Sequence, residues 1–176
     1  MSKKRKRFFV NTFIVLVILA ALSYTVYHIY FKSNVVNAGD QAPDFTVTNL
    51  QGDTISLNSL KGKGVMINFW ESDCDPCKEE MPFINKAYHD LKDSDDLAIL
   101  EVNLDESRTT VSEFIKKYNL DFPVWLDHNN VGKDLYGIQG VPTTFFVNAS
   151  GVVEEKVQGY MESEQVILDK LEKIKP

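Results

Sequence analysis

Val65-Met66-Ile67-Asn68-Phe69-Trp70-Glu71-Ser72-Asp73-Cys74-Asp75-Pro76-Cys77 changes its periodicity at the two cysteines. Residues 65–70 form a nearly continuous apolar run, the pattern of a strand buried on both faces. After Pro76, the apolar residues Met81, Ile84, Ala87, Tyr88 and Leu91 recur at three- and four-residue spacings, as on an amphipathic helix. A buried strand running into a helix is the start of a βαβ unit, and its turn is where ligand sites gather.

The rest of the domain extends the alternation. Residues 45–47 and 54–57 alternate around the turn Gln51-Gly52-Asp53 and predict a hairpin. Residues 97–102 predict a second buried strand. A helix capped by Thr109 or Thr110 follows, with Val111, Phe114, Ile115 and Tyr118 on its apolar side. Residues 122–126 read as a short strand and 131–136 as a short helix. Strands at 144–147 and 152–157 flank Asn148-Ala149-Ser150-Gly151, and a helix over 162–174 closes the chain. Strands alternating with helices predict an α/β fold with parallel central strands.

Cys74 and Cys77 are the only cysteines, which excludes a scattered disulfide framework. Three readings of C-x-x-C compete. A zinc site needs two further ligands, and the histidines are His28, His89 and His128, the last two 39 residues apart. A structural disulfide across so short a loop adds little stability. Redox exchange suits the spacing best. Cys74 falls at a helix N-terminus, where the dipole and free N–H groups favour a thiolate, Pro76 suits the first turn, and Cys77 lies on the same side one turn later. Asp73 and Asp75 flank Cys74 and oppose its thiolate, which favours a reductant.

The charge is unevenly divided. All 25 acids lie at Asp40 or later, whereas Lys3, Lys4, Arg5, Lys6, Arg7 and Lys32 precede residue 38. The remaining 13 basic residues leave a formal −12 on the body of the chain, which argues against nucleic-acid binding. Residues 8–31 carry no charge and are long enough for a membrane span, with Tyr24, Tyr27 and Tyr30 at the outer end. The expected organisation is a basic cytoplasmic terminus at 1–7, a signal-anchor at 8–31, a linker at 32–38 and an extracytoplasmic domain at 39–176. A cleaved signal peptide ending near Ala21-Leu22-Ser23, or a buried globular helix, are the alternatives.

Ala42-Pro43-Asp44-Phe45, Leu60-Lys61-Gly62-Lys63-Gly64, Asn68-Phe69-Trp70, Cys74-Asp75-Pro76-Cys77-Lys78, Phe122-Pro123-Val124 and Val141-Pro142-Thr143-Thr144 occur in an order and spacing that resemble the ResA/TlpA branch of thioredoxin-like proteins. The resemblance implies a thioredoxin-like fold with an N-terminal β-hairpin and an inserted strand–helix unit. It also implies reduction of extracytoplasmic protein disulfides, notably the haem-attachment cysteines of apocytochrome c. A transmembrane thiol carrier would supply electrons, with no cofactor beyond the redox-active disulfide Cys74–Cys77 and no metal.

The same resemblance assigns roles. Pro142 matches the cis-proline beside the dithiol, with the Val141 backbone as a β-pairing edge for substrate; an ordinary loop proline is the alternative. Glu80 matches an acid that handles protons, against a solvated carboxylate of the first helical turn. Trp70 leads to the site, as a substrate-side residue or as core. One departure stands out: family members commonly have tryptophan immediately before the first cysteine, where this chain has Glu71-Ser72-Asp73, so substrate docking is expected to differ. Three rival functions remain: a disulfide-introducing oxidant, a thiol peroxidase (the Ala42-Pro43-Asp44-Phe45 opening also occurs in peroxiredoxins), and a redox-insensitive anchored binding module.

Overall fold

β3, Gly64–Trp70, is buried at every position and lies at the interior of a seven-stranded sheet. The computed structural model describes residues 3–31, 35–91 and 93–176, in two units, 1–33 and 34–176. In the second unit the strands are β1 (Thr46–Asn49), β2 (Thr54–Ser56), β3, β4 (Leu97–Leu104), β5 (Val124–Asp127), β6 (Thr143–Val147) and β7 (Val153–Gln158). Their order across the sheet is β2-β1-β5-β4-β3-β6-β7. β3, β4 and β5 run parallel; β1 pairs antiparallel with β2 and β5, and β6 with β3 and β7. The expected N-terminal hairpin is therefore present and extends the sheet through β5.

Four helices accompany these strands: α2 (Asp75–Leu91), α3 (Arg108–Tyr118), α4 (Val131–Tyr136) and α5 (Glu164–Lys173). Because side chains alternate along each strand, the sheet has two different faces. Met66 and Trp70 point into a core shared with Cys77, Met81 and Ile84 of α2 and with Ile167 of α5. Val65, Ile67 and Phe69 point into the other, with Phe45, Tyr136 and Phe145. Gly64 opens β3 because a Cβ there would come within 2.5 Å of the Ile174 carbonyl oxygen.

Two local expectations are corrected. Ser107, not Thr109 or Thr110, caps α3: its hydroxyl accepts from the Thr110 N–H at 3.1 Å. The cap is the extended residue just outside the helix, and with α3 starting at Arg108 both threonines lie inside its first turn. Leu57, expected to end the second hairpin strand, instead opens a 3₁₀ turn over Leu57–Leu60, its N–H donating to the Phe45 carbonyl at 3.1 Å.

In the first unit, α1 spans Lys3–Phe31. Its described apolar side chains face outward, from 49% exposure at Ile14 to 68% at Phe13. The side chains described without interruption run over 11–25, shorter than the ~20 apolar residues a span requires. Among the described residues no helix is long and apolar enough to cross a membrane. The side chains of Tyr27 and Tyr30, and residues 32–34 of the expected linker, lie outside the described residues.

Candidate active site

Cys74 sits at the junction the sequence indicates. β3 ends at Trp70, residues 71–74 turn, and α2 begins at Asp75 with Pro76 in its first turn. Cys74 is half-buried and Cys77 wholly buried; they form a disulfide with Cα atoms 5.3 Å apart. The Cys77 N–H donates to the Cys74 sulfur at 3.2 Å. That sulfur thus occupies the place of a helix-capping oxygen, facing an N–H that α2 cannot satisfy internally. In the reduced state the same geometry would stabilise a thiolate at Cys74 and leave Cys77 the shielded thiol.

The surroundings bring most of the other sequence-indicated residues together. The Val141–Pro142 bond is cis, and the Val141 carbonyl oxygen lies 3.6 Å from the Cys74 sulfur. Pro142 is buried, and its carbonyl accepts from the Gly159 N–H at 2.9 Å. Trp70 is wholly buried against Phe114, ring centroids 4.9 Å apart, and so forms the floor of the site rather than its surface. Asp75 is exposed and paired with Lys78 at 2.6 Å, an arrangement that lowers the Asp75 carboxyl pKa. The acid expected to oppose the Cys74 thiolate is therefore partly offset by its own neighbour.

Glu80 is not a solvated first-turn carboxylate. It is wholly buried, accepting from the Asn68 amide at 2.9 Å and from the Met161 N–H at 3.1 Å. Burial pushes its pKa up to about 7, against the downward pull of those two donors. A group titrating there can take and return protons near neutrality.

The sequence reading missed the company Glu80 keeps. Asn68 of β3 also donates to Glu101 of β4 at 3.1 Å, and the Thr144 hydroxyl of β6 donates to the Asn68 carbonyl at 3.2 Å. Glu101, Asn68 and Thr144 are register partners across three strands, forming one polar row on the face beneath α2. The available signal was a glutamate inside the apolar run 97–102, where a buried charge is expensive unless it has a role. Ser72 was missed too; it is held by Glu106, which accepts its N–H at 2.7 Å. His89 pairs with Asp121 at 2.9 Å, away from the dithiol in sequence and outside its hydrogen-bond network.

Comparison with known proteins agrees with this geometry. Residues 38–156 match the AhpC/TSA family. The thiol-disulfide oxidoreductase ResA of Bacillus subtilis (strain 168) is 41% identical over 175 residues, covering 99% of this chain and 97% of its own. The crystal structure of StoA from Bacillus subtilis superposes with a TM-score of 0.64 at 31% identity, covering 73% of this chain and 96% of that one. The thioredoxin domain of a thiol-disulfide oxidoreductase from Bacteroides vulgatus gives a TM-score of 0.67 at 27% identity, covering 77% and 99%. With a thioredoxin-like sheet, a dithiol at the head of α2 and relatives matched along almost their whole length, the chain belongs to the AhpC/TSA family and, within it, to the thiol-disulfide oxidoreductases that carry the name ResA.

Proposed function

We propose that this oxidoreductase works as a membrane-anchored, extracytoplasmic dithiol reductase, with the haem-attachment cysteines of apocytochrome c as its leading substrate. The observation that carries the reading is the asymmetry of the two sulfurs: Cys74 half-buried and capped by an N–H, Cys77 wholly buried one turn behind it. The reduced Cys74 thiolate attacks one sulfur of a substrate disulfide, and the other leaves as a thiolate and takes up a proton. Cys77 then gives its proton to the Glu80 carboxylate, and its thiolate attacks the Cys74 sulfur. The second substrate sulfur leaves with the bonding pair and takes up a proton. Two electrons have passed to the substrate, and the enzyme is left as the Cys74–Cys77 disulfide with no other cofactor.

Anchoring is supported by the basic residues 3–7 ahead of the uncharged 8–31 and by apolar side chains exposed on every side of α1, since consecutive positions 13–19 all face outward. A domain outside the membrane is beyond the reach of cytosolic reductants, so a transmembrane thiol carrier is the fitting donor. Val141 and Pro142 offer the substrate chain a backbone edge beside Cys74. The acids around Cys74 favour a reductant over an oxidant, and the C-x-x-C pair beside Pro142 favours protein disulfides over peroxide.

The test is to express full-length Cys77→Ser in cells and identify what becomes disulfide-linked to Cys74. Apocytochrome c in that adduct is the expected result. No covalent partner, or a reduction potential near roughly −120 mV rather than below about −200 mV, would overturn the reductase reading.

A further inference from the structure

The mechanism above uses Glu80 and leaves Glu101 idle, although both side chains are wholly buried and share one amide. Their four carboxyl oxygens meet three N–H donors: two from Asn68 and one from Met161. The Thr144 hydroxyl fixes the direction of the Asn68 amide by donating to its oxygen. Among the described residues Glu101 Oε1 has no hydrogen-bond partner. Among the described residues no lysine, arginine or histidine forms an ion pair with either group.

Among the described residues, the buried side chains that the neighbouring elements bring to this core are apolar. α3 contributes Val111 and Phe114, and β5 contributes Val124 opposite Glu101. From α5 comes Ile167, while Lys170 pairs with Glu155 instead. On α2, Cys77 lies one helical turn before Glu80, and the titratable side chains that pack against this core from elsewhere are the phenols of Tyr88 and Tyr118, neutral near pH 7, and Lys170, whose ammonium lies 5.9 Å from the Phe146 ring centroid. Two carboxylates cannot both be ionised in so dry a space without a cation. The donors divide two to one in favour of Glu80, so the single negative charge is best held there.

We infer that Glu101 is a positioning residue acting through Glu80: joined by the Asn68 amide, the two form one buried carboxyl pair in which Glu101 keeps a proton and Glu80 is the ionised member next to Cys77. The inference rests on the reductase reading for its purpose but not for its chemistry. By holding its proton, Glu101 confines the pair to one negative charge and leaves Glu80 free to receive the Cys77 proton during resolution. It also provides a second seat: if Glu80 cannot ionise, the charge moves to Glu101. Burial and the nearby Glu80 charge both push the Glu101 pKa well up, the direction the donor count requires.

The experiment is a carbon-13 NMR titration of the full-length protein, reduced, with labelled glutamate carboxyls, in the wild type, Glu80→Gln, Glu101→Gln and the double variant. Glu101→Gln keeps a neutral acceptor for Asn68. In the wild type one buried carboxyl should titrate near 7, and a second should remain protonated where the first is fully ionised. Glu101→Gln should delete the second signal and leave the first in place. Glu80→Gln should bring the Glu101 midpoint down, because its negative neighbour is gone, and the pH–rate profile of disulfide exchange should keep an ionisation that the double variant lacks. Glu101 titrating as an ordinary carboxylate, or identical pH–rate profiles for Glu80→Gln and the double variant, would overturn the inference. The carboxyl titration needs no substrate, so a protein that reduces no disulfide would sink the reductase reading alone. Should the double variant not fold, the single-variant titrations still decide.

Discussion

The two faces of the sheet are built from the same strands and solve different problems. On one, Val65, Ile67 and Phe69 meet Phe45, Tyr136 and Phe145, an aromatic cluster with Tyr136 and Phe145 centroids 4.9 Å apart. Its buried hydroxyls are tied off, the Tyr136 O–H donating to the Pro43 carbonyl at 2.9 Å and the Thr143 O–H to the Gly140 carbonyl at 2.7 Å. On the other, the alternate residues include Asn68, Glu101, Asn103 and Thr144, all buried. The strands could have carried apolar side chains there as they do behind. A row of polar groups costs stability on burial unless paired, and this row of side chains bonded to one another across three strands lies beneath the helix that carries the cysteines. One face is built for cohesion; the other gives up cohesion to hold charge and protons near the dithiol.

Substitutions on either side of that division should therefore fail in different ways. The largest effect belongs to the dithiol itself. Cys74→Ser should abolish insulin reduction, and Cys77→Ser should accumulate mixed disulfides, with both variants still folded; if Cys77 is the thiol that an alkylating reagent reaches first, the roles are reversed. On the aromatic face, Phe145→Ala should cost about 3–5 kcal/mol of stability, by removal of a buried ring and the cavity left behind. Urea unfolding measures that loss. Activity per folded molecule, and its pH dependence, should remain as in the wild type. A shifted pH profile in Phe145→Ala would break the distinction between the faces.

The division was half legible in the sequence. Apolar runs such as 65–70 and 97–102, the three- and four-residue spacing after Pro76 and the turn at 148–151 locate the seven strands and four α-helices of the domain to within a few residues, because periodicity is a local property; the 3₁₀ turn at Leu57–Leu60 has no such period. Cys74, Cys77 and Pro142 were equally readable from spacing and resemblance. Asn68 and Glu101 were not. They are 33 residues apart and meet only because β3 and β4 pair in parallel register. Glu80 could be seen as an acid near Cys77, but its burial depends on Met161, 81 residues away, closing over it.

That burial has a thermodynamic consequence with a definite sign. The folded pKa of Glu80 is raised from 4.5 to about 7. The folded state therefore binds the proton more tightly than the unfolded chain, so this contribution to stability is full below about 4.5 and is lost as pH rises towards 7. At about 1.4 kcal/mol per pH unit, the loss across the window is ~3 kcal/mol. Glu101, whose pKa burial and the nearby Glu80 charge also raise, adds a loss of the same sign. Urea denaturation at a series of pH values should give a falling curve for the wild type and a flatter one for Glu80→Gln over that window. A wild-type curve that rises from acid to neutral pH would contradict the burial argument.

The smallest effect should come from the mouth of the site, and salt separates it from the rest. Lys78 and Asp75 are paired one helical turn apart, and Asp75 is exposed. In Lys78→Gln the Asp75 carboxylate, the sequence neighbour of Cys74, loses its partner. A like charge opposes thiolate formation, so the Cys74 thiol should titrate slightly higher and attack more slowly at a fixed neutral pH. Asp75→Asn should move both quantities the other way, and the double variant should fall between the two. Exposed charges are screened within about 10 Å at 0.1 M salt, so all three differences should shrink as salt is added. The change in pH profile caused by Glu80→Gln should persist at the same salt, because water and ions do not reach a wholly buried carboxyl. Thiolate absorbance titrations at low and high salt would measure both. If the Lys78→Gln shift survives high salt undiminished, the Lys78–Asp75 pair acts through a change in the turn at Cys74 rather than through its field.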